Sequence, residues 1–151
     1  MAKLKPRQTF KDPMAGPVLS KRFLLSLLLM ILGIGWIAYY YLSAGGGAGW
    51  KVPDAPKVIA DLGLWSYAIG FVVLYVGMAL AAHPATPLGR GRGVVTGMLG
   101  SFLIGLLWIC VFYIFSNDLS PIWVFNDLGQ WNLVVGIGFM AVGFAYATKW
   151  E

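Results

Sequence analysis

Two carboxylates, Asp61 and Asp127, recur 66 residues apart inside nearly the same five residues, DLGLW at Asp61 to Trp65 and DLGQW at Asp127 to Trp131. A matched pair of carboxylates is the residue set of general acid–base chemistry. Little else in the chain could support a reaction. His83 is the only histidine and Cys110 the only cysteine, so one chain cannot assemble a disulfide framework or a Cys/His metal site. Ser26, Ser66, Ser101 and Thr96 have no base near them, which removes a Ser–His nucleophile. Gly89, Gly91 and Gly93 in HPATPLGRGRG lack the spacing and the helix-opening Lys-Ser/Thr of a phosphate loop. No catalytic, cofactor-binding or metal site is expected. The repeated motif reads instead as a turn: Asp61 and Asp127 cap the returning helix through a side-chain oxygen, Gly63 and Gly129 relax the bend, and Leu62, Trp65, Leu128 and Trp131 sit at the membrane interface. Direct contact with a partner is the other use such a motif could have.

The elements that carry the two motifs repeat as well. At the same offset of 66, Gly70, Val76, Gly77, Ala79 and Ala81 meet Gly136, Val142, Gly143, Ala145 and Ala147. At an offset of 72, Gly33, Trp36, Ile37 and Tyr41 meet Gly105, Trp108, Ile109 and Tyr113. The chain therefore reads as two copies of one unit, each an apolar run, a loop, the Asp-Leu-Gly-x-Trp turn and a second apolar run.

Composition sets the medium. Of 151 residues, 59% are hydrophobic and 11% charged, far from the usual soluble balance. Residues 23–50, 62–89, 93–117 and 128–148 contain no Lys, Arg, Asp or Glu, and each could supply the roughly 20 apolar residues that cross a bilayer. Spans are placed at 23–42, 65–82, 95–115 and 131–148. Helices are required because lipid offers backbone groups no partner and these runs lack barrel-strand alternation. Lys3, Lys5, Arg7, Lys11, Lys21 and Arg22 fall before the first run, Arg90 and Arg92 between the copies and Lys149 at the end, against Lys51 and Lys57 in the opposite loops. That bias places both termini in the cytoplasm. It also accounts for the net charge of +5 without a nucleic-acid partner, since there is no basic soluble domain to bind one.

The expected fold is an all-α integral membrane protein with four transmembrane helices, arranged as two parallel repeats of a helical hairpin, N-in and C-in. Its parts are a flexible basic tail at 1–22, a first two-helix repeat at 23–82, a solvated connector at 83–93 and a second repeat at 94–151. Tail residues Lys3, Lys5, Arg7, Lys11, Lys21 and Arg22 serve topology, or contact anionic lipid or a cytoplasmic partner. Gly70 and Gly77, with Gly136 and Gly143, lie seven apart on one helical face; Gly97, Ser101 and Gly105 form a stripe at spacing four. Such stripes let helices approach closely in lipid. They predict a compact four-helix bundle in which the repeats meet through their glycines, with Gly77 facing Gly143.

The pattern resembles the actinobacterial cell-division membrane protein CrgA family. The likeness rests on the basic tail, a first span ending around a Trp, LGxW opening the second span, and a closing Thr-Lys-Trp. The second copy carries it as IGLLWI at Ile104 to Ile109, LGQWN at Leu128 to Asn132 and ATKW at Ala147 to Trp150. The first carries GIGWI at Gly33 to Ile37 and LGLWSY at Leu62 to Tyr67 but ends AAH. Members of the family usually have one two-span unit, so this chain looks like a tandem duplication. The resemblance implies a non-enzymatic scaffold or regulator of bacterial cell division at the septum, without a cofactor. By the resemblance its partners would be the FtsZ ring and septal peptidoglycan synthesis proteins; membrane lipid and further copies of the chain are the other partners expected of such a membrane protein. A small oligomeric channel or transporter is the alternative for a four-span bundle of repeats, although no polar stripe or broken helix marks a pathway.

Overall fold

The computed structural model describes residues 19–44, 56–119 and 122–149, the side chain of Trp123 aside. Lys3, Lys5, Arg7, Lys11 and the closing Trp150 lie outside the described residues. Every regular element among those described is helical: α1 (Lys21–Ser43), α2 (Lys57–Ala60), α3 (Leu64–Ala81), α4 (Arg92–Ile114), α5 (Trp123–Leu128) and α6 (Trp131–Ala147). Ser20 starts α1 by accepting the Phe23 N–H on its hydroxyl at 3.2 Å, which satisfies one of the free donors of the first turn. At 23, 18 and 23 residues, α1, α3 and α4 are long and apolar enough to cross a membrane. The apolar α6 has 17 residues and rises about 25 Å, a little short of a roughly 30 Å hydrocarbon core. It is short because the chain first spends Trp123 to Leu128 on α5 before turning at Gly129.

Each repeat is a hairpin closed by backbone contact. A Cβ on Gly33 would lie 2.7 Å from the Leu74 nitrogen and 2.8 Å from the Gly70 oxygen, and one on Gly105 would lie 2.6 Å from the Gly136 oxygen. Those distances are shorter than carbon can tolerate, so α1 with α3, and α4 with α6, approach at a point where only hydrogen fits. Dispersion between such closely spaced backbones replaces the hydrophobic drive that lipid removes.

The same contacts correct the expected role of the glycine stripes. Gly77 lies against Ser26 and Met30 of α1, and Gly143 against the Phe102 ring of α4. They do not face each other. Gly70 meets Trp36 and Ile37, Gly136 meets Ile109, and Gly97 lies under the Tyr146 ring. Ser101, nearly fully buried, donates its hydroxyl to the Gly97 carbonyl at 2.8 Å. The stripes therefore close each hairpin from within. The hairpins meet through α3 and α6, with α1 packed along the outside of α3 and α4 along the outside of α6. This is a row, α1–α3–α6–α4, in place of the expected compact bundle. Where the repeats join, the Tyr75 ring packs onto Gly138, and the two outer helices turn broad apolar faces outward, Leu24, Leu28, Ile31 and Ile34 on α1 and Leu99, Leu103, Leu106 and Leu107 on α4.

The connector is also better built than a solvated linker. Thr86 is fully buried. Its hydroxyl donates to the carbonyls of Ala81 and His83, the latter at 2.8 Å, and accepts the Gly89 N–H at 3.0 Å. Ala81, Ala82, Val94, Val142 and Tyr146 form a small core beneath it, with Leu88 packed against them. One hydroxyl thus shares its proton between two carbonyls at the end of α3.

Candidate functional site

The two Asp-Leu-Gly-x-Trp motifs fold alike in backbone and differ in use. Gly63 and Gly129 adopt φ of 52° and 50° with ψ near −124°, a region closed to residues with a side chain and typical of the first corner of a type II′ turn. The Trp65 N–H closes that turn on the Leu62 carbonyl at 3.1 Å. The expected Asp caps do not form. Asp61 ends α2 and Asp127 sits within α5, while Gly63 and Gln130 precede α3 and α6 without a side-chain cap. The carboxylates belong to the short helices before the bend, which places them on the wrong side of it for capping.

The residue three past each glycine fastens the bend. Ser66 donates its hydroxyl to the Ile59 carbonyl at 3.2 Å. Asn132 donates its amide to the Phe125 carbonyl at 2.8 Å and the Gly129 carbonyl at 2.7 Å. Ser66 and Asn132, and Ile59 and Phe125, are equivalent at the offset of 66, and both polar side chains are fully buried. Trp65 and Trp131 point away, 73% and 56% exposed. Leu128 is buried in the core formed with Tyr67, Phe71, Val135 and Phe139, and Leu62 is half-buried.

Between the hairpins runs a seam secured by three tyrosine hydroxyls. Tyr67, 2% exposed, donates to the Asp127 carboxylate at 2.5 Å. Tyr75 donates to the Val135 carbonyl at 2.7 Å, and Tyr146 to the Met78 carbonyl at 3.2 Å. The bonds are spread along the length of α3 and α6, so each buried hydroxyl is satisfied by the opposite repeat. Tyr75 lies edge-on to Phe139, with ring centres 5.1 Å apart, and occupies the space a Cβ on Gly138 would need, 2.6 Å from its ring. Tyr40 closes on Tyr67 edge-to-face at 4.8 Å, a favoured aromatic geometry.

The repeats part company at their shared tryptophan. Trp36 donates its indole N–H to the Ser66 carbonyl at 3.0 Å. Its equivalent, Trp108, stacks on Phe125 at 4.3 Å and stands edge-on to Phe71 at 5.7 Å. The Trp108 indole nitrogen and the Asn132 side-chain oxygen are buried without a hydrogen-bond partner. Trp108 has given up the bond its counterpart makes in exchange for aromatic contact with the other hairpin.

These polar groups hold helices together. Asp61 is exposed at the end of α2 while Asp127 is engaged by Tyr67, so the two do not form a working pair. Ser26 donates to the Phe23 carbonyl at 2.8 Å, a local back-bond of the kind hydroxyls make inside helices. Among the described residues no three His, Cys, Asp or Glu side chains come together, and Cys110 lies exposed on α4. The polar groups of Tyr67, Tyr75, Tyr146, Ser66 and Asn132 carry the seam and its turns; LGLWSY and LGQWN contain Ser66, Tyr67 and Asn132, but the motif reading gives none of the five this role. The one signal available was that Ser66 and Asn132 occupy equivalent positions behind the repeated motif.

A duplicated helical hairpin, apolar on its flanks and fastened at its centre by buried tyrosines, is the class of membrane-protein-like architecture that fold and seam define. The family model described as Cell division protein CrgA matches the chain twice, over residues 3–83 and 87–151, and the chain belongs to that family as a tandem duplication of its unit. Proteins named Cell division protein CrgA are similar to it. The one from Streptomyces avermitilis is 48% identical over 64 residues, which is 42% of this chain and 71% of the relative. That from Corynebacterium aurimucosum is 31% identical over 63 residues, 42% of this chain and 66% of the relative. That from Tropheryma whipplei strain Twist is 31% identical over 58 residues, 38% and 74% respectively. No solved structure matches the chain.

Proposed function

We propose that the protein is a non-enzymatic membrane scaffold or regulator of bacterial cell division, crossing the membrane four times with both termini in the cytoplasm. The observation that carries the reading is the twice-matched family unit folded as two hairpins, each with an outer helix whose apolar face is free along its length. The polar groups at the centre are consumed in fixing the hairpins to one another, which leaves α1 and α4 as the surfaces for spans of other division proteins. Membrane helices associate through shape and close contact, and a row of four helices offers two such surfaces on opposite flanks. The FtsZ ring and the septal peptidoglycan synthesis proteins are the proposed partners, with the basic tail, Lys3 to Arg22, as the cytoplasmic contact. The glycines at 70, 77, 97, 105, 136 and 143 are proposed to serve hairpin packing, and the Asp-Leu-Gly-x-Trp residues to serve the outer turns. Enrichment at the septum is expected of such a protein. The test is a fluorescent fusion at native level, imaged with FtsZ in dividing cells. Recruitment to young septa supports the reading, and uniform membrane signal throughout division refutes it.

A further inference from the structure

We propose that Trp108 is a latch with two positions: one in which its ring ties the second hairpin to the first, and one in which its indole N–H donates to Asn132 and the ring withdraws into its own hairpin. The two unpartnered buried atoms, the Trp108 indole nitrogen and the Asn132 side-chain oxygen, are a donor and an acceptor. At the offsets of 72 and 66 their residues are the equivalents of Trp36 and Ser66. In the first hairpin that pair is bonded, the Trp36 N–H donating to the Ser66 carbonyl at 3.0 Å. Buried polar groups are nearly always paired, and here two that are not stand on the positions whose sister pair is.

The frame that carries the sister bond is present in the second hairpin. A Cβ on Gly33 would lie 2.8 Å from the Gly70 oxygen and one on Gly70 would lie 3.3 Å from the Gly33 oxygen; for Gly105 and Gly136 the corresponding distances are 2.6 Å and 3.1 Å. The helices therefore cross in the same register, which sets Asn132 opposite Trp108 as Ser66 is set opposite Trp36. What differs is the competing position. Trp108 stacks on Phe125 at 4.3 Å, stands edge-on to Phe71 at 5.7 Å and lies 6.1 Å from Phe139, whereas the equivalents of those three rings in the opposite repeat are Ile59, Ile137 and Val73. Trp36 has no such rings to draw it off its hydrogen bond. Aromatic pairs and a buried hydrogen bond are of comparable strength, so the two positions of Trp108 compete closely. The choice matters to α5, which meets the first hairpin twice: Phe125 through the Trp108 ring that also touches Phe71, and Asp127 through the Tyr67 hydroxyl. With Trp108 withdrawn, the Tyr67 bond is left to hold the turn before α6.

The test is nuclear magnetic resonance of the full chain in micelles with isotope-labelled tryptophan, the Trp108 indole signal being assigned by its loss in Trp108→Phe. Relaxation dispersion is expected to show Trp108 exchanging between two environments while Trp36, in the same sample, shows one. Phe125→Leu gives α5 an aliphatic side chain, as the first hairpin has in that place. It should shift the ratio of positions about fivefold toward the bonded one, the worth of one aromatic pair, read as a downfield move of the Trp108 indole proton toward the Trp36 signal. Phe71→Ile, which removes the ring on the other side, should move it in the same direction and speed deuterium exchange at the amides of α5. Circular dichroism and an unmoved Trp36 signal report that each variant has folded. A single Trp108 environment in the native chain, or a Trp108 signal that stays put in both variants, overturns the latch. So does a long-lived water cross-peak at the Trp108 indole in the native chain and both variants, which would mean that a bound water satisfies the pair where it stands.

Discussion

Asp61 and Asp127 occupy the same place in the same motif, and the structure predicts that removing them has unequal consequences. Asp127 accepts the hydroxyl of buried Tyr67 across the seam, whereas Asp61 is exposed at the end of α2. A hydrogen bond to a charged group is worth about 1.5–3 kcal/mol in soluble proteins, and side-chain bonds between membrane helices average about 0.6 and reach about 1.7 kcal/mol. Asp127 is half-buried, so water recovers part of what is lost, and about 1–1.5 kcal/mol is the expected cost of Tyr67→Phe or Asp127→Ala. Asp61→Ala should cost no more than about 0.5 kcal/mol, as for a surface site without partners. The assay is equilibrium unfolding in mixed micelles, followed by helicity, for the two single variants and the double variant. A coupling energy of about 1 kcal/mol between Tyr67 and Asp127 is expected. Additivity within about 0.3 kcal/mol, the behaviour of independent sites, would refute the reasoning, as would an Asp61→Ala cost equal to that of Asp127→Ala.

Two other substitutions probe the packing and the connector. Gly105→Val places carbon where the Gly136 carbonyl lies and should cost about 1–3 kcal/mol by overpacking, while Gly35→Ala and Gly100→Ala, which meet open space, should be neutral or slightly stabilising; thermal unfolding in micelles separates them. Thr86→Val leaves the Ala81 carbonyl and the Gly89 N–H without their side-chain partner, at about 1–3 kcal/mol, and should open the 83–93 segment to protease, with Thr86→Ser retaining protection.

Helices and duplication were legible because both are written in period and composition. The segments placed at 23–42, 65–82, 95–115 and 131–148 match α1, α3, α4 and α6 to within three residues, and the offsets of 66 and 72 superpose contacts as well as letters: Gly33 on Gly70 reappears as Gly105 on Gly136. What the glycines meet was not legible. Spacing of four or seven names a face of a helix, and two neighbours compete for every face. Asp61 and Asp127 were misread for a related reason. An Asp two residues before a Gly fits a cap or the end of a short preceding helix equally well, and only the positive φ of Gly63 and Gly129 settles which side of the bend it occupies. Tyr67, Tyr75 and Tyr146 escaped because an aromatic residue in an apolar run looks like filler until its hydroxyl is found to have crossed to the other repeat. Thr86 escaped because a connector rich in Gly and Pro reads as linker, while one buried hydroxyl can organise it.

Gly138 has a consequence for how the halves recognise each other. It makes room for the Tyr75 ring, and the residue in its place in the first half is Val72. Two first halves would have to press that ring onto a branched side chain. Two second halves would have nothing to press, because Leu133 and Ala141 stand where the first half has Tyr67 and Tyr75. Each half is therefore a poor mate for itself and a good one for the other. Cut at the connector and produced as separate polypeptides, the halves should reassemble as a mixed pair, a lock with its key, which makes the protein a ready-made split reporter whose two pieces ignore their own kind.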